Sequence, residues 1–160
     1  MPLHRLHAAA GILAFTMIAG FWLSTAVSEL FGTLAAIASV KQAIVWTMLV
    51  LVPALAATGA SGFRLGKGMR LPLVATKKKR MPFIALNGLL VLLPSAIFLN
   101  FKAAAGDFGT AFMTIQAIEL AAGLVNLTLM GLNIRDGLVL SSRRQRIKVD
   151  HKHSSLERSG

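Results

Sequence analysis

Four stretches of roughly twenty apolar residues, separated by short polar or basic segments, constrain this chain more than any other feature. They fall at residues 8–28, 42–63, 82–101 and 110–132. A helix needs about 20 residues to cross a hydrocarbon core about 30 Å thick. A soluble domain divides its apolar residues into the periodic stripes of half-buried elements, whereas here they run on, in a chain that is 55% hydrophobic and 14% charged. The sequence predicts an all-α integral membrane protein, an antiparallel bundle of four transmembrane helices. Residues 1–136 are assigned to the bundle and residues 137–160 to a basic tail.

The net charge of +11 would suggest a nucleic-acid partner in a soluble protein. Placement argues otherwise. Of the 17 Lys and Arg, all except Lys41 and Lys102 fall before span one, between spans two and three, or after span four. This is the positive-inside pattern, with both termini and the middle loop in the cytoplasm. Short outer loops and the lack of a soluble domain give the organisation of a bacterial inner-membrane protein, and nucleic acid is not an expected partner. Lys77, Lys78, Lys79 and Arg80, just before span three, set topology. They are also the candidate contact for anionic lipid headgroups, at roughly 1 kcal/mol per basic residue near the surface.

The first 27 residues carry some marks of a secretory leader: Arg5, an apolar run, and Ser24-Thr25-Ala26 as small residues. The run is long for a leader, and cleavage would leave three spans whose basic flanks conflict, so the segment is read as span one. The chain has no cysteine, which excludes disulfides, thiolate metal sites and cysteine nucleophiles. His4 and His7 are a weak candidate metal pair at the cytoplasmic boundary, and His151 and His153 in the tail lack further ligands. No Ser/His/Asp set, zinc helix or nucleophile elbow points to an enzyme.

Small residues at Thr16, Gly20, Ser24 and Ser28, and again at Ala54, Thr58 and Gly62, suggest that spans one and two pack closely. Residues 29–41 form the expected outer connection. Residues 30–40 are too apolar for a hydrated loop and too short to span, so they are expected to lie in the interface with Lys41 at its edge. Residues 64–81 are read as a cytoplasmic loop broken by Gly66, Gly68 and Pro72. The tail is expected to become mobile after about one more helical turn.

Glu119 lies near the middle of the last apolar stretch, the one ionisable residue inside the four as delimited above. An acid at the bilayer centre costs upward of about 2.5–3.5 kcal/mol, and no basic partner falls within these spans. Gln116, Glu119, Gly123, Asn126, Met130 and Asn133 follow at intervals of three or four, forming one helical stripe that must face protein. Glu119, Gln116, Asn126 and Asn133, with Asn87 on span three, are the candidate ligand or proton site. Pro53 and Pro94 each deprive a carbonyl four residues back of its donor. A neutral Glu119 could therefore donate to the oxygen of Leu49 or Leu90.

Three functional classes remain. The leading expectation is a non-catalytic accessory, assembly or lipidic-ligand-binding protein of a membrane complex, with a protein partner or a second copy of itself. A second is an oligomeric proton- or cation-coupled transporter using Glu119. The third is a haem- or quinone-associated redox protein; haem would need ligands drawn from His7 or the intramembrane Met17, Met48, Met113 and Met130.

Overall fold

The computed structural model describes residues 2–67 and 72–157. They form α1 (Leu3–Phe31), α2 (Leu34–Gly66), α3 (Pro72–Asn87), a π-helical turn (Gly88–Leu92), α4 (Leu93–Ala104) and α5 (Thr110–Glu157). No strand occurs among the described residues. Four stretches are long and apolar enough to cross a membrane: α1, α2, Lys79–Ala104 (which runs from α3 through the π turn into α4) and Thr110–Ser142 of α5. The protein is an all-helical integral membrane bundle.

The turn between α1 and α2 is two residues long, which corrects the expected connection over residues 29–41. Gly32 ends α1, its N–H donating to the Ser28 carbonyl at 2.8 Å, and a Cβ at Gly32 would lie 2.5 Å from that same oxygen. Only glycine permits so close an approach. Thr33 then caps α2 by accepting from the Ala36 N–H at 3.2 Å. The helix of span two therefore begins eight residues before the predicted Gln42, and residues 34–41 are its first turns rather than a separate segment.

The turn between α4 and α5 closes differently. Gly106 has φ +69°, the Gly106 N–H donates to the Ala103 carbonyl at 3.0 Å, and the Asp107 N–H donates to the Lys102 carbonyl at 2.9 Å. These two bonds and the left-handed glycine make a Schellman stop.

The third rod bends into a π turn just before Pro94, where the Leu93 N–H reaches back to the Gly88 carbonyl. A proline lacks an N–H and crowds the preceding turn, and a π turn is one way for a helix to accommodate it. The predicted loop over residues 64–81 is also corrected: α2 runs to Gly66 and α3 begins at Pro72, so Lys77–Arg80 belong to a helix. At the far end, α5 runs past the expected boundary at residue 136 to Glu157. Residues 138–157 contain no Gly or Pro and are rich in Arg, Lys and Leu, all good helix formers.

Two apolar clusters fill the bundle. Ala14, Ile18, Leu51, Ala54 and Met130 form one, and Ile37, Leu99, Ala103 and Phe112 form the other, near the α4–α5 turn. Outside, large apolar side chains such as Leu23, Trp46, Leu49, Phe83, Leu90 and Val125 are exposed on every span. Such a surface suits hydrocarbon, which costs an apolar side chain nothing.

The small-residue stripe predicted for α1 is not the packing seam. Thr16 and Gly20 are exposed, whereas Ala10, Ala14, Ile18, Thr25 and Ser28 are buried. A strict four-residue repeat drifts by about 40° per step around a helix of 3.6 residues per turn, so it leaves any one face within two steps. On α2 the expected seam holds better: Ala54 is buried, and the Thr58 methyl would lie 3.6 Å from a Cβ at Gly11.

Candidate functional site

The stripe on α5 alternates spacings of three and four, and it faces the bundle. Gln116 is 4% exposed, Asn126 1% and Met130 7%, while Gly123 is buried.

Glu119 meets Lys41. The ammonium donates to Glu119 Oε2 at 2.6 Å, with the lysine side chain 0% and the glutamate side chain 13% exposed. Gln116 Nε2 donates to the same oxygen at 3.3 Å. This overturns the expectation that no basic partner exists within the spans, because α2 begins early enough to carry Lys41 inside. It also replaces the expected donation from Glu119 to the carbonyls of Leu49 or Leu90; those residues are 70% and 64% exposed on the outside of the bundle.

Glu29, near the end of α1, interacts electrostatically with both Lys41 and Glu119. Its Oε1 is buried without a hydrogen-bond partner, and so is Gln116 Oε1. α2 and α5 thus contribute one ammonium, one carboxylate and one amide to a single layer, and the Glu29 carboxylate of α1 lies within electrostatic reach of it. On α2 and α5 that layer lies between the two apolar clusters, since Lys41 falls between Ile37 and Leu51 and Glu119 between Phe112 and Met130.

Immediately after Glu119 on α5, the Leu120 carbonyl accepts from Trp22 Nε1 at 2.9 Å, and one turn beyond Glu119 the Trp22 ring packs against the buried Gly123, where a Cβ would lie 3.0 Å from Trp22 Cδ1. Below the indole, Asn87 Nδ2 donates to the Ala122 carbonyl at 2.8 Å and to Asn126 Oδ1 at 3.0 Å. Asn126 Nδ2 returns to the Ile84 carbonyl at 3.5 Å. Asn87 and Asn126 therefore join α3 to α5 around the start of the π turn. Asn133 is half-buried, and its Oδ1 is enclosed without a partner.

The inner end of the stripe is charged again. Asp136, 3% exposed, accepts from Arg80 Nη1 at 2.8 Å and from Arg135 Nη2 at 3.3 Å. Arg80, a predicted lipid contact, is thus tied to α5. Lys79 is exposed, and the side chains of Lys77 and Lys78 lie outside the described residues. His7 is half-buried against α2, its Nδ1 3.1 Å from the Thr58 carbonyl and 3.0 Å from Ser61 Oγ, while His4 is exposed. The side chains of His151 and His153 also lie outside the described residues. Met130 sits inside an apolar cluster, and Met113 is 58% exposed.

Lys41 and Glu29 are the site residues that the sequence reading did not place. The phase of the buried stripe on α2 would have found the first: Ile37, Lys41 and Ile44 recur at intervals of four and three, in register with Leu51 and Ala54. For Glu29 the signal is the series Trp22, Thr25, Glu29 on α1, with the same spacing.

Chemically, the layer can hold positive charge among oxygen acceptors, and the Lys41–Glu119 pair ties α2 to α5. No protein family, curated protein or solved structure matches the chain.

Proposed function

We propose that this chain is a non-catalytic accessory or assembly protein of a membrane complex, held in a bacterial cytoplasmic membrane with both termini and the α2–α3 connection on the cytoplasmic side. The observation that carries the reading is α5, which continues as one helix from its last apolar stretch at Ser142 to Glu157. Those residues extend about 22 Å at 1.5 Å per residue, and they include Arg143, Arg144, Arg146, Lys148 and Lys152. A basic helical continuation of a membrane span is suited to an acidic surface on a partner. The orientation is supported by the distribution of charge: with Lys41 inside a span and paired with Glu119, only Lys102 remains at the outer ends, and it is paired with Asp107.

The test is extraction of the full chain from native membranes beside a form ending at Ser142. The full chain is expected to co-purify with a defined membrane partner that the shortened form loses. Isolation of the full chain alone would sink the reading, and an absorption spectrum of the same sample tests haem association directly.

A second reading, coupled transport by an oligomer, is favoured by the Glu29–Lys41–Glu119 layer. Proton or cation flux in vesicles that is unchanged by Glu119→Gln removes it.

A further inference from the structure

The charged layer does not balance. Glu29 and Glu119 supply two carboxylates and Lys41 one ammonium, and the ammonium donates to Glu119 at 2.6 Å. Lys102, the nearest other basic residue toward that end of the bundle, is engaged with Asp107 at 2.6 Å in the α4–α5 turn. Net charge at membrane depth is costly unless compensated.

The hydrogen bonding is unbalanced in the same sense. Two buried oxygens in the layer lack donors: Glu29 Oε1 and Gln116 Oε1. Gln116 is 4% exposed, and its Nε2 is committed to Glu119 Oε2 at 3.3 Å, which holds its oxygen beside the same carboxylate. Both orphans are acceptors, and a buried acceptor is satisfied by a donor or a cation, not by another acceptor. Charge and hydrogen bonding are thus short of the same thing.

We propose that Glu29, Gln116 and Glu119 form a binding site for one monovalent positive charge, a proton or an alkali cation, beside the Lys41 ammonium. One unit of charge neutralises the layer, whereas a divalent ion would overcharge it. The donor set is entirely oxygen, which suits hard cations and not thiophilic metals. Glu29 sits three residues before the Gly32 turn, about 4–5 Å of helix from the end of the bundle. The groups that face the site are Glu29 from α1, Lys41 from α2, and Gln116 and Glu119 from α5. The site is independent of whether the bundle serves a complex or transports.

The test uses the full-length protein in nanodiscs. Thermal unfolding is followed in sodium, potassium or choline chloride at equal ionic strength, and infrared difference spectra report carboxyl protonation. An alkali cation predicts a saturable rise in Tm with sodium or potassium that choline does not give and that Glu29→Gln abolishes. In that case Gln116→Leu raises the half-saturating concentration about tenfold, as expected for loss of one hydrogen-bonding oxygen from a charged ligand. A proton predicts no alkali dependence and a protonated-carboxyl band that Glu29→Gln removes. Ionised Glu29 and Glu119 together with alkali-independent unfolding overturn the proposal. Monodisperse elution of Glu29→Gln and Gln116→Leu distinguishes loss of the site from loss of the fold.

Discussion

Lys41 Nζ and Glu119 Oε2 lie 2.6 Å apart, on helices that both start at the same end of the bundle. Each is seven to nine residues into its helix, so a pair formed there is about 10–14 Å along the helical axes. Removing either partner leaves an uncompensated charge in a low-dielectric layer, a loss of about 3–5 kcal/mol for buried pairs. Lys41→Met is therefore expected to destabilise the bundle by about that amount. Adding Glu119→Gln to it should recover much of the loss, because the stranded carboxylate is gone. A double-mutant cycle on reversible unfolding in mixed micelles measures this. Strict additivity of the two changes would mean that the pair contributes no coupling.

The bundle itself was legible because four apolar runs leave few alternatives, and the polar stripe of α5 was legible because Gln116 to Asn133 alternate spacings of three and four. What escaped depended on the helix starts. Placing span two at Gln42 put Lys41 outside the membrane by one residue, and that single residue concealed the partner of Glu119. Gly32-Thr33 was the available signal: a glycine that ends one helix followed by a threonine that caps the next is a two-residue turn, whatever the hydropathy of its flanks. The stripe at Thr16, Gly20, Ser24 and Ser28 misled for a geometric reason, since its constant spacing of four spirals off the buried face. Arg80 with Asp136 needed tertiary knowledge, for nothing local to either residue points to a contact across 56 positions.

Trp22 and Gly123 provide a steric test. The indole is anchored by its bond to the Leu120 carbonyl, so it cannot retreat freely from a side chain placed 3.0 Å from its Cδ1. Gly123→Val is expected to cost about 1–3 kcal/mol through overpacking, with Gly123→Ala costing less. In a Trp46→Phe background, the emission of Trp22 should shift toward that of a more solvated indole as its hydrogen bond is displaced. Unchanged emission and stability in Gly123→Val would show that α1 is free to move away from α5.

Asn87 and Asn126 join α3 to α5 beside the π turn, and interhelical bonds of this kind in membranes contribute about 0.6 kcal/mol on average and up to about 1.7. Asn126→Leu is expected to fall in that range, leaving Asn87 its bond to the Ala122 carbonyl. Because the two amides share one bond, Asn87→Leu combined with Asn126→Leu should cost less than the sum of the single changes. Unfolding of the four proteins in the same lipid mixture supplies the comparison; a sum that is fully additive would assign the two amides separate partners.

Asp107 supplies a pH-dependent contact outside the spans. The Lys102 ammonium donates to its Oδ2 at 2.6 Å and the Gly109 N–H to its Oδ1 at 3.1 Å, and these bonds hold its carboxyl below the ordinary carboxylate range. A carboxyl whose folded pKa is lowered adds stability that is complete above its unfolded pKa and is lost as the pH falls through the folded value. The contribution of Asp107 should thus be present at neutral pH and disappear below about pH 4, near the ordinary aspartate value. The pair is solvent-exposed, so the effect is small and weakens in high salt. Asp107→Asn removes the lysine's anionic partner at every pH. The stability difference between wild type and Asp107→Asn should therefore narrow on acidification, and narrow less in high salt, where less remains to be lost. A difference that stays constant from neutral pH down to about pH 3, well below the ordinary aspartate value, would show that the Schellman turn at Gly106 closes this connection without help from the ion pair.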